Sequence, residues 1–247
     1  MTINSKAVIS EGDKPMTINR QAAIRVASSR KIALAAGVLY LLTFVSIPTL
    51  AIYGPVKSTN YILGAGPDTS AIIGGILEII VALAGIGTAV VLFPVLKKQN
   101  EEAALGLVAS RILEASTIFV GVAFLLSIVT LRQAGAGADA LVTSHALVAL
   151  YDRIFLLGQS FMPAVNDLLL GFLLYRSRLV PRGLSLIGIV GSPVLLVGYI
   201  AVLFGLIGQH APLAGLTAIP VALFEFSLGV WLIVKGFNPS AITSEPV

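Results

Sequence analysis

Five ionisable side chains stand inside otherwise apolar stretches of this chain: Glu78, Arg111, Glu114, Asp167 and Glu225. An ionisable group at depth in a membrane costs from about 2.5 kcal/mol upward, so such groups face the interior of a helix bundle or a wet cavity. Arg111 and Glu114 are three residues apart, which puts them on one helical face and within reach of each other. Glu78 shares a face with Gly74, Ala82 and Gly85, and Glu225 with Ala218, Ala222 and Gly229. Asp167 shares one with Ser160, Pro163, Ala164 and Gly171, flanked by Gln159 and Asn166. Small residues mark the packed side of a membrane helix, so none of the carboxyls should face lipid.

Four carboxyls against one guanidinium leave three without a counter-charge. Ionised and unpaired they would be very costly to bury. They must be neutral acids, line water or hold a cation. Four chemistries follow for Glu78, Arg111, Glu114, Asn166, Asp167 and Glu225, one of them intramembrane hydrolysis or group transfer. They could form a structural network that fixes helix register. They could form a path for a proton or small cation. They could form a site for a polar or amine-bearing molecule.

Other chemistries lack their residues. The chain has no cysteine, which removes disulfides, thiolate nucleophiles and thiolate metal sites. No histidine or lysine falls inside an apolar stretch, which excludes a bis-histidine haem and a retinal Schiff base. His145 and His210, with Asp68 or Asp139, lack the spacing of a zinc site. There is no phosphate-binding glycine loop, no H-E-x-x-H and no G-x-S-x-G. No metal and no cofactor are expected; an enzyme acting on lipid stays open, but it needs a nucleophile or a metal and the sequence offers neither clearly.

The elements that must position these residues are six apolar stretches, near residues 32–53, 71–96, 103–130, 154–175, 184–208 and 213–234. Each has the roughly 20 residues needed to cross a hydrocarbon core about 30 Å thick. The composition agrees: 57% of the residues are hydrophobic and only 11% are charged. A soluble domain carries roughly a quarter charged residues. This excludes a disordered chain and a nucleic-acid-binding domain, although the net charge is +4. The expected fold class is all-α, one integral membrane bundle of six transmembrane helices, with the lipid bilayer as its obligatory partner. The oligomeric state is left open.

Cation placement sets the orientation. With the N-terminus inside, the inner set is Lys6, Lys14, Arg20, Arg25, Arg30, Lys31, Lys97, Lys98, Arg176, Arg178, Arg182 and Lys235, twelve against Lys57, Arg132 and Arg153 outside. Both termini are therefore expected in the cytoplasm. Residues 1–30 read as a disordered basic tail, 31–236 as the membrane domain and 237–247 as a short C-terminal tail. Met1-Thr2-Ile3-Asn4 recurs as Met16-Thr17-Ile18-Asn19, which leaves Met16 open as an alternative start. The outer loops are placed at about 54–70 and 131–146, with Asp152 and Arg153 at a solvated helix start. Tyr53, Tyr175 and Trp231 read as interfacial anchors, and Gly191-Ser192-Pro193 as a kink.

Four blocks resemble the bacterial membrane family DUF4386. They are Arg30-Lys31-Ile32-Ala33 running into Gly37-Val38-Leu39-Tyr40-Leu41-Leu42; Arg111-Ile112-Leu113-Glu114-Ala115; Leu170 to Ser177 followed by Val180-Pro181-Arg182; and Glu225 to Gly236. The resemblance covers Arg111, Glu114, Pro181, Arg182 and Glu225, and usually an acid near Glu78. It is looser at Asp152, Asn166 and Asp167. It implies a multi-pass protein of the bacterial cytoplasmic membrane and implies no activity.

Overall fold

The computed structural model describes residues 14–243. It is 83% helical, with no strand among the described residues. The helices are α1 Lys14–Leu42, α2 Thr49–Ile52, α3 Thr69–Leu96, α4 Glu101–Gln133, α5 Leu141–Phe155, α6 Met162–Ser177, α7 Arg182–Leu203, α8 Pro212–Val234 and α9 Pro239–Thr243. Six stretches are long and apolar enough to cross a membrane: 26–52, 69–96, 101–133, 137–177, 182–203 and 212–234. The protein is a multi-pass membrane protein built as an all-α bundle.

The six spans close into a ring. α1 packs on α3, α3 on α4, α4 on α6, α6 on α7, α7 on α8, and α8 returns to α1. Within lipid the apolar effect does not drive helices together, so close packing and interior polar bonds must. The ring's outer surface is accordingly apolar, with Leu83, Ile112, Val197 and Leu216 exposed. One interior cluster gathers Tyr40, Leu92, Leu107, Leu170, Phe224 and Leu228. A second, toward the loops that follow α2 and α4, gathers Tyr53, Val56, Tyr61, Leu125, Ile128 and Tyr151.

Several boundaries differ from the sequence reading. α1 already runs from Lys14, so residues 14–30 are helical rather than irregular. The sequence from Met16 to Ala36 holds neither glycine nor proline, and nothing in it stops a helix. Residues 1–13 and 244–247, with the first copy of the Met-Thr-Ile-Asn repeat, lie outside the described residues. The expected loop over 131–146 is short: α4 continues to Gln133 and helix resumes at Gly137. Asp152 therefore lies near the end of α5 and not at a helix start. α7 ends at Leu203, where the sequence had placed its end near 208, and Pro193 sits inside it.

The first span is interrupted by a 3-10 turn at Thr43–Ser46, and the fourth by a wider turn. Residues Leu156–Phe161 form a π-helical turn between α5 and α6. Pro163 explains it. Proline has no N–H to give to the carbonyl four residues back, at Gln159, and its ring crowds that carbonyl, so the turn widens. Gly158 lets this turn approach α4, because a side chain there would overlap Thr117.

The loop end is held by its own ion pairs. Lys57 pairs with Asp152 at 2.5 Å, and Arg132 with Asp68 at 2.6 Å. Arg132 also stacks 4.1 Å over the Tyr61 ring and donates to the Gly66 carbonyl. The Tyr61 hydroxyl donates to Asp68 at 2.5 Å. That bond, with a second from Gln133 and the charge of Arg132, holds the Asp68 carboxyl below the usual range against partial burial. Burial, with the bond to Asp68 behind it, pushes the Tyr61 hydroxyl up to about 12.

Candidate functional site

The interior polar residues fall into two groups. The first is built on α4, α6 and α8. Arg111 Nη1 donates to Glu114 Oε2 at 2.9 Å, and Nη2 donates to Glu225 Oε1 at 2.5 Å. Asn166 Nδ2 donates to the same Glu114 oxygen at 2.7 Å. Ser110 donates to Asn166 Oδ1, which fixes the amide so that its nitrogen faces Glu114. The Arg111 guanidinium also lies 5.7 Å from the centre of the Tyr40 ring on α1. Arg111, Glu114 and Asn166 are buried, and the Glu225 side chain is 13% exposed. Glu225 lies nine residues before Val234, about 14 Å along the helix, close to the middle of a core about 30 Å thick.

The i, i+3 pairing expected for Arg111 and Glu114 is present. The partnership with Glu225 was not visible, because it joins residues 114 positions apart. Asp167 belongs to the same interior. It is fully buried, and neither carboxyl oxygen has a hydrogen-bond partner among the described residues. Arg111 Nε also lacks one. One guanidinium thus stands among three carboxyls.

The second group surrounds Glu78 on α3, which is also fully buried. Its carboxyl accepts from Tyr151 at 2.8 Å, Tyr53 at 3.2 Å and Gln159 at 3.3 Å. Gly74, one turn earlier, leaves room for the Tyr53 ring, which any side chain there would strike. The two tyrosine rings meet edge to face at 5.5 Å. Tyr53 is thus an interior ligand of Glu78, which corrects its reading as an interfacial anchor. Glu78 lies eighteen residues before Leu96, about 27 Å along α3, near the far boundary of the hydrocarbon core. The candidates therefore do not converge on one point. Arg111, Glu114, Asn166, Asp167 and Glu225 form one group, and Glu78 stands apart with phenols and an amide.

Two cavities adjoin these groups. One of about 220 Å³ is lined by Arg111, Glu114, Glu225, Gly85 and Pro163. The other, about 440 Å³, reaches the loop end and is lined by Tyr53, Lys57, Tyr151, Asp152, Gln209 and His210. Gln159, Leu195 and Ala218 wall both. Gln159 belongs to the π-helical turn, so that irregular segment lies between the cavities and holds Glu78. His145 meets the Thr59 carbonyl at 3.0 Å, away from His210's cavity. Among the described residues no three His, Asp or Glu side chains come together as a metal-binding group would require.

Sequence reasoning singled out the charged members and Asn166 and missed the other neutral ones. Tyr53, Tyr151 and Ser110 carry no signal of their own. Gln159 was legible only as a flank of the Asp167 stripe. No curated protein and no solved structure matches this chain. A family model described as a domain of unknown function, DUF4386, matches residues 35–236, from α1 to just past α8. That match covers most of the chain and takes in both polar groups and both cavities, and the protein belongs to the DUF4386 family.

Proposed function

We propose that this protein binds or transports a small cation, a proton or a small polar solute at the Arg111–Glu114–Glu225 site, in the bacterial cytoplasmic membrane with both termini inside. The observation that supports this most is the placement of Glu114 and Glu225, on one guanidinium, along a cavity near the middle of the membrane core. A buried acid pair that shares a single cation can gain or lose a proton with small changes in geometry. Asn166 and Arg111 hold Glu114 still, while Glu225 has, among the described residues, Arg111 as its one hydrogen-bonding partner. Glu225 is therefore the exchanging group and Asp167 the neighbouring acceptor. The larger cavity gives the route from the loop end, through Gln159. The orientation rests on Arg30, Lys31, Lys97, Lys98, Arg176, Arg178, Arg182 and Lys235 at one end against Lys57, Arg132 and Arg153 at the other.

The test is proton flux in vesicles carrying the purified protein, with a pH-sensitive dye inside and a sodium or potassium gradient imposed. Wild type should exceed empty vesicles, and Glu225→Gln should return to the empty-vesicle rate.

A second reading has its own observation. The chain of bonds from Ser110 through Asn166, Glu114 and Arg111 to Glu225 ties α4, α6 and α8 together. In a non-catalytic partner or sensor subunit those bonds would serve only to set register. Folded Glu225→Gln with wild-type flux selects that reading.

A further inference from the structure

The opposite end of the bundle carries a feature that the interior site does not use. A cleft of about 470 Å³ lies where α6 ends, α7 begins and α8 ends. Its walls include Arg178, Arg182 and Lys235, with Trp231, Phe237 and Pro181 between them. No carboxyl lines it, and none of these three cations forms an ion pair among the described residues. All three are exposed.

The cleft is pre-shaped. Asn238 N–H donates to the Leu179 carbonyl at 2.8 Å, which ties the segment after α8 to the loop before α7. Arg178 adopts the left-handed conformation at φ 55°, which ends α6 and turns the chain into the cleft wall. Arg182 is held 4.9 Å over the Tyr175 ring. The negative end of α8 is already covered, because Arg30 donates to the Leu232 and Ile233 carbonyls at 2.9 and 2.5 Å. The N-terminal end of α7 adds a little positive potential and does not carry the argument. Among the described residues, three cations without an ion pair thus surround a space with no anion of its own. Half-buried Trp231 offers apolar surface on the same walls, and the buried Phe237 packs into the core beside it.

We infer that this cleft binds the headgroup of an anionic phospholipid from the adjoining leaflet. Its level fits, because the last residues of α6 and α8 and the first of α7 mark the edge of the hydrocarbon core. Its chemistry fits as well. Arginine and lysine take the phosphate oxygens, and the apolar walls take the first part of the acyl chains. A zwitterionic headgroup brings a balancing ammonium and lacks the net charge that the cleft selects.

The experiment is native mass spectrometry of the full chain released from bilayers that contain both phosphatidylglycerol and phosphatidylcholine. Wild type should retain phosphatidylglycerol in preference to phosphatidylcholine. The variant Arg178→Gln/Arg182→Gln/Lys235→Gln, altered only at exposed positions, should lose that preference by about 100-fold, near fivefold per charge. Arg178→Gln alone should show a partial loss, which guards against a misfolded triple variant. Equal retention of the two lipids by wild type, or unchanged preference in the triple variant, overturns the inference. A parallel arm adds inorganic phosphate to lipid-stripped protein. Phosphate binding as strong as that of phosphatidylglycerol would identify a free anion, not a lipid, as the occupant and overturn it too.

Discussion

The Arg111 site and the Glu78 site are two ways of burying an acid in one bundle. At the first, near mid-membrane, a guanidinium is shared between Glu114 and Glu225, and Asp167 stands by without a hydrogen bond among the described residues. At the second, near the membrane boundary, Glu78 has no ion-pair partner among the described residues and rests on two phenols and an amide. Depth explains the difference. Solvation is poorest at the centre, where a full opposite charge is needed to hold a carboxylate. Near the boundary, with Lys57 and Asp152 on the adjoining cavity, neutral donors suffice. The central group has more acids than its cation can balance, and the boundary group is fully bonded. On the function proposed above, exchange of a proton or cation would belong to the first, while the bonds of Glu78 tie α3 to α5 and the π-helical turn at the second.

The largest expected effect breaks the first site. Arg111→Leu strands the two carboxyls that pair with it, Glu114 and Glu225, and should cost about 3–5 kcal/mol, seen as loss of monodisperse protein on size exclusion in detergent. Adding Glu114→Leu and Glu225→Leu removes the stranded charges and should restore most of the folded fraction, since apolar replacement of a buried ionic group is often neutral. A triple variant no better than the single one would contradict this account of the network.

Tyr151→Phe sharpens the contrast at the second site. It removes one neutral donor from Glu78 and should lower stability by about 0.6–2 kcal/mol in a denaturant titration, with flux retained. A loss as large as that of Arg111→Leu would show that Glu78 depends on its phenol as strongly as Glu114 does on its arginine.

Asp68→Asn gives the smallest effect and stands outside both sites. Its carboxyl is held below the usual range by Tyr61, Gln133 and Arg132. A depressed folded value means that the stabilisation is present above the ordinary carboxyl pKa of about 3.9 and fades as pH falls through the folded value. At neutral pH the variant should be less stable by under about 1 kcal/mol, and the two melting curves should converge in acid. A difference unchanged down to the lowest pH would remove the ion pair from the explanation.

Much of this was legible in the chain. Apolar run length set the six spans, and rare charges within them pointed to Arg111, Glu114 and Glu225. Helical spacing gave the Arg111–Glu114 pair because both residues lie on one element. The bond from Arg111 to Glu225 was not legible, because it depends on how α4 and α8 meet in the ring. Nor was the separation of Glu78, since helical position alone does not tell which neighbour a carboxyl faces. The tyrosines stayed hidden for a different reason. Near a span end Tyr53 fits an interfacial anchor equally well, and only the space left by Gly74 turns it inward. The π-helical turn follows from Pro163, but proline within an apolar run also fits an ordinary kink.

The most direct measurement sets the two acids side by side: ion-gradient-driven proton flux in vesicles for wild type, Glu225→Gln and Glu78→Gln, each shown to be folded. The account predicts flux in wild type, its loss in Glu225→Gln and its survival in Glu78→Gln. Equal flux in wild type and Glu225→Gln, or loss confined to Glu78→Gln, would contradict it.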